Sequence, residues 1–286
     1  MPLSRFSEYL EAVKFQHTLF ALPFALAAMF AASGGRPGWR LAGLVMLAMV
    51  AARTCAMAWN RVADAGLDAR NPRTSGRAVP AGRIRKASMA ILAIGAAAVF
   101  VGACAWLNAL ALALSPVALV LLLGYSYTKR FTVFSHFFLG MALACAPVGA
   151  WVAARAEIGG PALALAGFVT LWTAGFDVLY ACQDVDFDRA ENLRSIPAAI
   201  GIPGALIVSA LCHLSAVGFL PLFIRAANLG TLSWIAAAAV TALLALEHAL
   251  VRPGNLKRLE TAFFQVNGAA SVAFGILACA DAWKAA

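Results

Sequence analysis

Nine apolar stretches divide this chain, near residues 15–33, 39–59, 88–106, 109–126, 135–154, 161–182, 203–224, 229–249 and 261–283. Each approaches the roughly 20 residues that a helix needs to cross a bilayer. Hydrocarbon offers no water to backbone N–H and C=O groups, so an apolar run of this length crosses it as a helix. The expected fold is all-α, a polytopic membrane bundle of about nine transmembrane helices. With 63% hydrophobic and 12% charged residues, little sequence is left for a soluble domain. The first stretch has no small-residue cleavage pattern and is followed by another span, so it reads as a span, not a signal peptide.

The net charge of +9 would suit a nucleic-acid partner if it were spread over one surface, but it is not. Arg61, Arg70, Arg73, Arg77, Arg83, Arg85 and Lys86 crowd the second connection. Lys129 and Arg130 fall in the fourth, Arg189 and Arg194 in the sixth, and Arg252, Lys257 and Arg258 in the eighth. The odd connections hold only Arg36, Arg40, Arg155 and Arg225. By the positive-inside rule the even connections and the N-terminus are cytoplasmic, in a bacterial-type inner membrane, with no nucleic-acid partner. Cys55, Cys104, Cys145, Cys182, Cys212 and Cys279 stand singly in apolar segments and read as packing residues.

Against this background two acidic clusters stand out. The first is Asn60, Asp64 and Asp68, followed by Arg73 and Thr74; the second is Asp184, Asp186 and Asp188, followed by Arg194 and Ser195. Side chains four residues apart project to one side of a helix, so each cluster can offer two oxygens to one hard cation. Asp186 and Asp177 fall off that ladder. Asp177 reads either as functional or as half of a satisfied pair within a span. The clusters occupy the two longest polar connections, about 60–87 and 183–202, where length itself suggests function. Asp64, Asp68 and Asn71 before Arg73-Thr74 parallel Asp184, Asp188 and Asn192 before Arg194-Ser195, which suggests two pseudo-repeated halves. Four spans separate the clusters, returning the chain to the same side of the membrane, and a pseudo-two-fold along the membrane normal would gather both around one central cavity.

Bare carboxylates repel a diphosphate, so a divalent cation must stand between them, and Mg2+ takes one or two carboxylates with water and phosphate completing its octahedron. Arg61, Arg73, Arg77, Lys129, Arg130 and Arg194 are the cations available for the outer phosphate oxygens. Lys129 and Arg130 also suit a helix end anchored in anionic lipid. Arg53 lies two turns before Asn60, in position for phosphate, for an acceptor carboxylate or for a helix-packing hydrogen bond. His17 at the first helix reads as structural or as an acceptor contact. His136, His213 and His248 have no ligand spacing, and Asn267 reads as a helix–helix hydrogen bond.

Three motifs in order, Asn60-x-x-x-Asp64-x-x-x-Asp68 with Arg73-Thr74, Tyr125-x-x-x-Lys129, and Asp177-x-x-Tyr180-Ala181-x-x-Asp184-x-x-x-Asp188, resemble the UbiA superfamily of intramembrane aromatic prenyltransferases. The resemblance covers essentially the whole chain and implies one transmembrane prenyltransferase domain over residues 1–286. It implies a central cavity for a polyprenyl diphosphate and an aromatic acid of the 4-hydroxybenzoate type, as in ubiquinone or menaquinone biosynthesis. It further implies that Asn60, Asp64, Asp68, Asp184 and Asp188 form a Mg2+ shell, with the four Asp residues catalytic. Lys129 would contact the diphosphate and Tyr125 would line the cavity, while Asn60, Arg53, Arg61, Arg73, Arg130, Tyr180 and Arg194 stand as the further substrate-binding candidates. The segment Lys14-Phe15-Gln16-His17-Thr18 before Phe20-Ala21-Leu22-Pro23-Phe24 lacks an Asp-Lys-Pro-like opening and looks closer to members on menaquinone routes, which keeps a dihydroxynaphthoate-type acceptor open.

Other readings are a haem, chlorophyllide or glycerol-phosphate-lipid acceptor within the same superfamily, and a secondary transporter. The chain is short and lacks porphyrin-sized polar loops, and its charges gather at one face, where a transporter of duplicated halves would hold them mid-membrane. The Asp-Gly-x-x-Ala-Arg opening of a CDP-alcohol phosphotransferase is absent.

Overall fold

The computed structural model describes residues 5–13, 20–251, 256 and 259–285, all of them in helices or short turns with no strand. The helices are α1 (Arg5–Ala12), α2 (Leu22–Ala32), α3 (Trp39–Ala63), α4 (Ala65–Arg70), α5 (Lys86–Leu107), α6 (Ala109–Thr128) and α7 (Ser135–Arg155). Then follow α8 (Gly160–Ala181), α9 (Val185–Ala190), α10 (Ile196–Ala226), α11 (Thr231–Leu250), α12 (Leu259–Thr261) and α13 (Asn267–Lys284).

Among the described residues eight helical segments are long and apolar enough to cross a membrane. The protein is an integral membrane protein. The first expected span is represented by the 11-residue α2, and residues 14–19, His17 among them, lie outside the described residues. Arg252, Lys257 and Arg258 lie outside them too. The polar connection expected from residue 183 is mostly helical: a 3-10 turn at Cys182–Asp184 carries α8 into α9.

The fold divides into two compact units. Unit 1 takes the described residues of Met1–Thr18 and Gly43–Tyr127, and unit 2 those of Leu19–Ala42 and Thr128–Ala286. In unit 1, Val13 beside α1, Met57 and Ala58 of α3, Ala78 and Ile84 of the basic connection, and Met89 and Ala93 of α5 share one buried core. The connection is thereby held by apolar contacts as well as by Arg83, whose Nε lies 3.6 Å from Glu8 Oε1.

In unit 2, α8 is the most enclosed span, 67% buried over its most apolar window, and it packs on α7 and α10. Glycine makes those approaches close. A Cβ at Gly140 would collide with the Thr170 carbonyl, and one at Gly175 with the His213 ring. Small residues are the usual way for membrane helices to gain packing contact, since lipid supplies no hydrophobic drive between them. Phe24 of α2 sits in an aromatic cluster, its ring 5.3 Å from Phe168, 5.2 Å from Trp172 and 5.5 Å from Phe274. Asn267 ties helices together, as its residue type suggests: Trp172 Nε1 donates to its Oδ1 at 2.7 Å, and its Nδ2 donates to Glu247 Oε1 at 2.8 Å.

Candidate active site

The first cluster is built by helical register. The Asp64 amide donates to the Asn60 carbonyl at 2.9 Å and the Asp68 amide to the Asp64 carbonyl at 2.7 Å. Four-residue bonding therefore persists across the break between α3 and α4, and the side chains stay on one stripe. Arg53, Met57, Asn60 and Asp64 follow one another at spacings of four, three and four, which is a single helix face. Asn60 Nδ2 donates to Asp64 Oδ2 at 2.7 Å and to Ser126 Oγ at 3.2 Å, so its amide oxygen is directed elsewhere. The Tyr125 hydroxyl reaches Met57 Sδ at 4.0 Å.

Asp68 is the anchored member. Its Oδ1 accepts from Arg77 Nη1 at 2.7 Å and its Oδ2 from Arg61 Nη1 at 3.3 Å, and both Asp68 and Arg61 are buried. The Thr74 hydroxyl donates to the Asp68 carbonyl at 3.1 Å, closing the turn. Among the described residues, the buried Nε atoms of Arg53 and Arg61 have no hydrogen-bond partner. These donors are available to a ligand or to water.

The second cluster repeats the device. Asp177, Tyr180, Asp184 and Asp188 follow at spacings of three, four and four along α8 and its extension. Asp188 is again the anchored carboxylate: its Oδ2 accepts from Ser195 Oγ at 2.7 Å and from Lys129 Nζ at 3.5 Å, with Asp188 buried. Asp184 is buried as well, whereas Asp186, off the ladder, is exposed. Tyr180 packs its ring 4.3 Å from that of Phe263.

The remaining sequence candidates are less central. Arg194 is exposed and fastens a turn, its Nη1 donating to the Phe131 carbonyl at 2.8 Å and its amide to the Lys129 carbonyl at 2.7 Å. Arg73 and Arg130 are exposed, and the Arg73 amide donates to Asn71 Oδ1 at 2.9 Å. Sequence reasoning overlooked Ser126, and passed over His136, which forms a 2.7 Å pair with Asp177 Oδ2. The neighbouring Tyr125 was a signal for Ser126. For His136 the missing partner was 41 residues away, beyond any local spacing rule.

As metal donors the residues fit a hard ion. They offer carboxylate oxygens and one amide oxygen, the donor set of Mg2+. Among the described residues no three His, Cys, Asp or Glu side chains group closely enough to cage a metal alone.

A model of the UbiA prenyltransferase family matches residues 21–269. The chain belongs to this family. Among UbiA family relatives, the 4-hydroxybenzoate octaprenyltransferase of Shewanella sediminis is 30% identical over 184 residues, 64% of this chain and 64% of that one. The enzyme of the same name from Thiobacillus denitrificans is 30% identical over 212 residues, 74% of this chain and 68% of that one. The chain thus aligns with about two thirds of these relatives' length. The apo structure of a UbiA homolog from Aeropyrum pernix K1 superposes with a TM-score of 0.83 at 33% identity, covering 92% of this chain and 96% of that one. A UbiA homolog from Archaeoglobus fulgidus bound to GPP and Mg2+ shares the fold, with a TM-score of 0.72 at 16% identity over 96% of this chain and 99% of that one.

Proposed function

We propose that this UbiA family protein transfers a polyprenyl group from its diphosphate to an aromatic acid of the 4-hydroxybenzoate type, with Mg2+, in the making of a membrane quinone. The observation that carries the reading is the twice-built carboxylate ladder, each with its deeper Asp buried and clamped by a cation. The names of the 30% identical relatives support the acceptor class. Four membrane-length helices lie between the ladders, and an even number of crossings supports a shared membrane face. The concentration of Arg and Lys beside both ladders supports the cytoplasmic one.

Asn60, Asp64, Asp68, Asp184 and Asp188 would hold the ion. Held there, Mg2+ would supply charge neutralisation to the departing diphosphate, which lowers the barrier to its loss. Arg61, paired with Asp68, and Lys129, paired with Asp188, would add fixed positive charge for the phosphate oxygens. The allylic carbon–oxygen bond breaks with its electron pair going to diphosphate. The ring carbon next to the acceptor's hydroxyl attacks the allylic cation, and the proton on that carbon is then lost to restore aromaticity. Asp184 or a neighbouring carboxylate would take that proton. Arg53 carries its partnerless Nε within α3, on the face of Asn60 and Asp64, and would take the acceptor carboxylate.

The experiment is incubation of the purified chain in bilayers with labelled prenyl diphosphate, Mg2+, and either 4-hydroxybenzoate or 1,4-dihydroxynaphthoate, with mass spectrometry of the lipid extract. Prenylated 4-hydroxybenzoate is expected. Prenylated naphthoate alone would move the acceptor assignment, and solute flux without any prenylated product would overturn the enzyme reading.

A further inference from the structure

The start of α10 uses every backbone donor it has. Ser195 caps the helix, with its Oγ accepting the Ala198 amide at 3.3 Å, while the Ala199 amide donates to the Ser195 carbonyl at 3.0 Å. Pro197 has no N–H to satisfy. That leaves Ile196, whose buried N–H points at His136 Nε2 at 3.4 Å. A backbone N–H can only donate, so Nε2 presents its lone pair and the ring proton resides on Nδ1. Nδ1–H donates in turn to Asp177 Oδ2 at 2.7 Å, and the imidazole is 0% exposed. One neutral ring thus joins α7, α8 and the first turn of α10.

This first turn is short and isolated from the rest of its helix, since Gly201 breaks it with φ 76° and ψ 169°. The turn is also held by Ile196, packed in a core with Val178 and Leu179, by Arg189 Nε donating to the Ala198 carbonyl at 3.0 Å and by the two Arg194 bonds. His136 supplies its hydrogen bond from α7 next to Ser195, the residue that grips Asp188 Oδ2 at 2.7 Å. We infer that His136 is a positioning residue: its Nδ1-protonated imidazole locks the first turn of α10 to α8, and so holds Ser195 in the geometry that sets the Asp188 carboxylate. Residues that orient ligating carboxylates commonly affect affinity and turnover as much as the ligands' own surroundings do. The catalytic arm of the test rests on the prenyl-transfer reading; the exchange arm does not.

The test compares His136→Leu, which removes donor and acceptor, with His136→Gln, whose amide supplies both, in the full chain reconstituted in nanodiscs. Backbone hydrogen exchange over residues 194–200 is read without metal or substrate. His136→Leu is expected to speed it about tenfold or more while leaving the α8 and α11 amides protected, and His136→Gln to restore protection. In turnover, His136→Leu and Ser195→Ala are each expected to raise the Mg2+ concentration for half-maximal rate by about 10-fold or more. The double variant should be no worse than Ser195→Ala alone, because both act through one carboxylate. Should Leu at this position prevent folding, His136→Met takes its place. Unchanged exchange in His136→Leu, equal damage in His136→Gln, or multiplying effects in the double variant would overturn the inference. A wild-type chain without prenyl transfer would overturn the prenyl-transfer reading, and the exchange arm would still decide this one.

Discussion

Asn60 donates its side-chain amide hydrogen to Asp64 Oδ2 at 2.7 Å, one helical turn away, and this bond fixes which way the amide faces. With nitrogen toward Asp64 and Ser126, the oxygen is the atom offered to a cation. Asn60→Leu removes that oxygen and the support to Asp64 together. The expected outcome is a loss of about 10–100-fold in apparent Mg2+ affinity, measured as the metal dependence of initial rate, with the protein still folded.

Asp184→Asn keeps shape and removes charge. Turnover is expected to fall by about 10²–10³-fold in initial-rate assays, the range seen when one group that stabilises transition-state charge is lost. A variant with normal turnover would remove Asp184 from both the ligand and the base assignment.

Asp68→Ala takes from the buried Arg61, 5% exposed, the carboxylate that its Nη1 meets at 3.3 Å. Breaking a buried pair from one side costs about 3–5 kcal/mol, so a marked fall in the thermal midpoint of the detergent-solubilised protein is expected. Arg77→Gln removes the partly exposed partner, its side chain 29% exposed, and is expected to cost about 1 kcal/mol or less.

Much of this was legible in the sequence, and the reasons differ by element. A hydrocarbon crossing demands a long apolar helix, so the spans at 39–63 and 160–181 announced themselves. The register of Asp64 and Asp68, joined by a backbone bond four residues apart, is legible because helical register is local. What escaped was contact between distant segments. Asn60 meets Ser126 across 66 positions, and His136 meets Asp177 across 41, distances over which no periodicity speaks. Arg77 was read as a phosphate contact, and its distinct pairing with Asp68 follows from a turn fixed by Thr74 that residue types alone do not specify.

Arg53→Leu tests the acceptor side. If its guanidinium takes the acceptor carboxylate, the acceptor KM is expected to rise about 10-fold or more, while that of the prenyl diphosphate stays within about twofold. Equal changes in both would assign Arg53 to the diphosphate instead.

The central claim is that two ladders far apart in the chain serve one diphosphate. Calorimetry with a non-reacting prenyl thiodiphosphate measures this directly, in nanodiscs, with and without Mg2+. One equivalent of ligand is expected to bind in a Mg2+-dependent manner, with that binding lost in Asp64→Asn and lost equally in Asp184→Asn. Two independent equivalents, or binding that survives intact in either variant, would contradict the account.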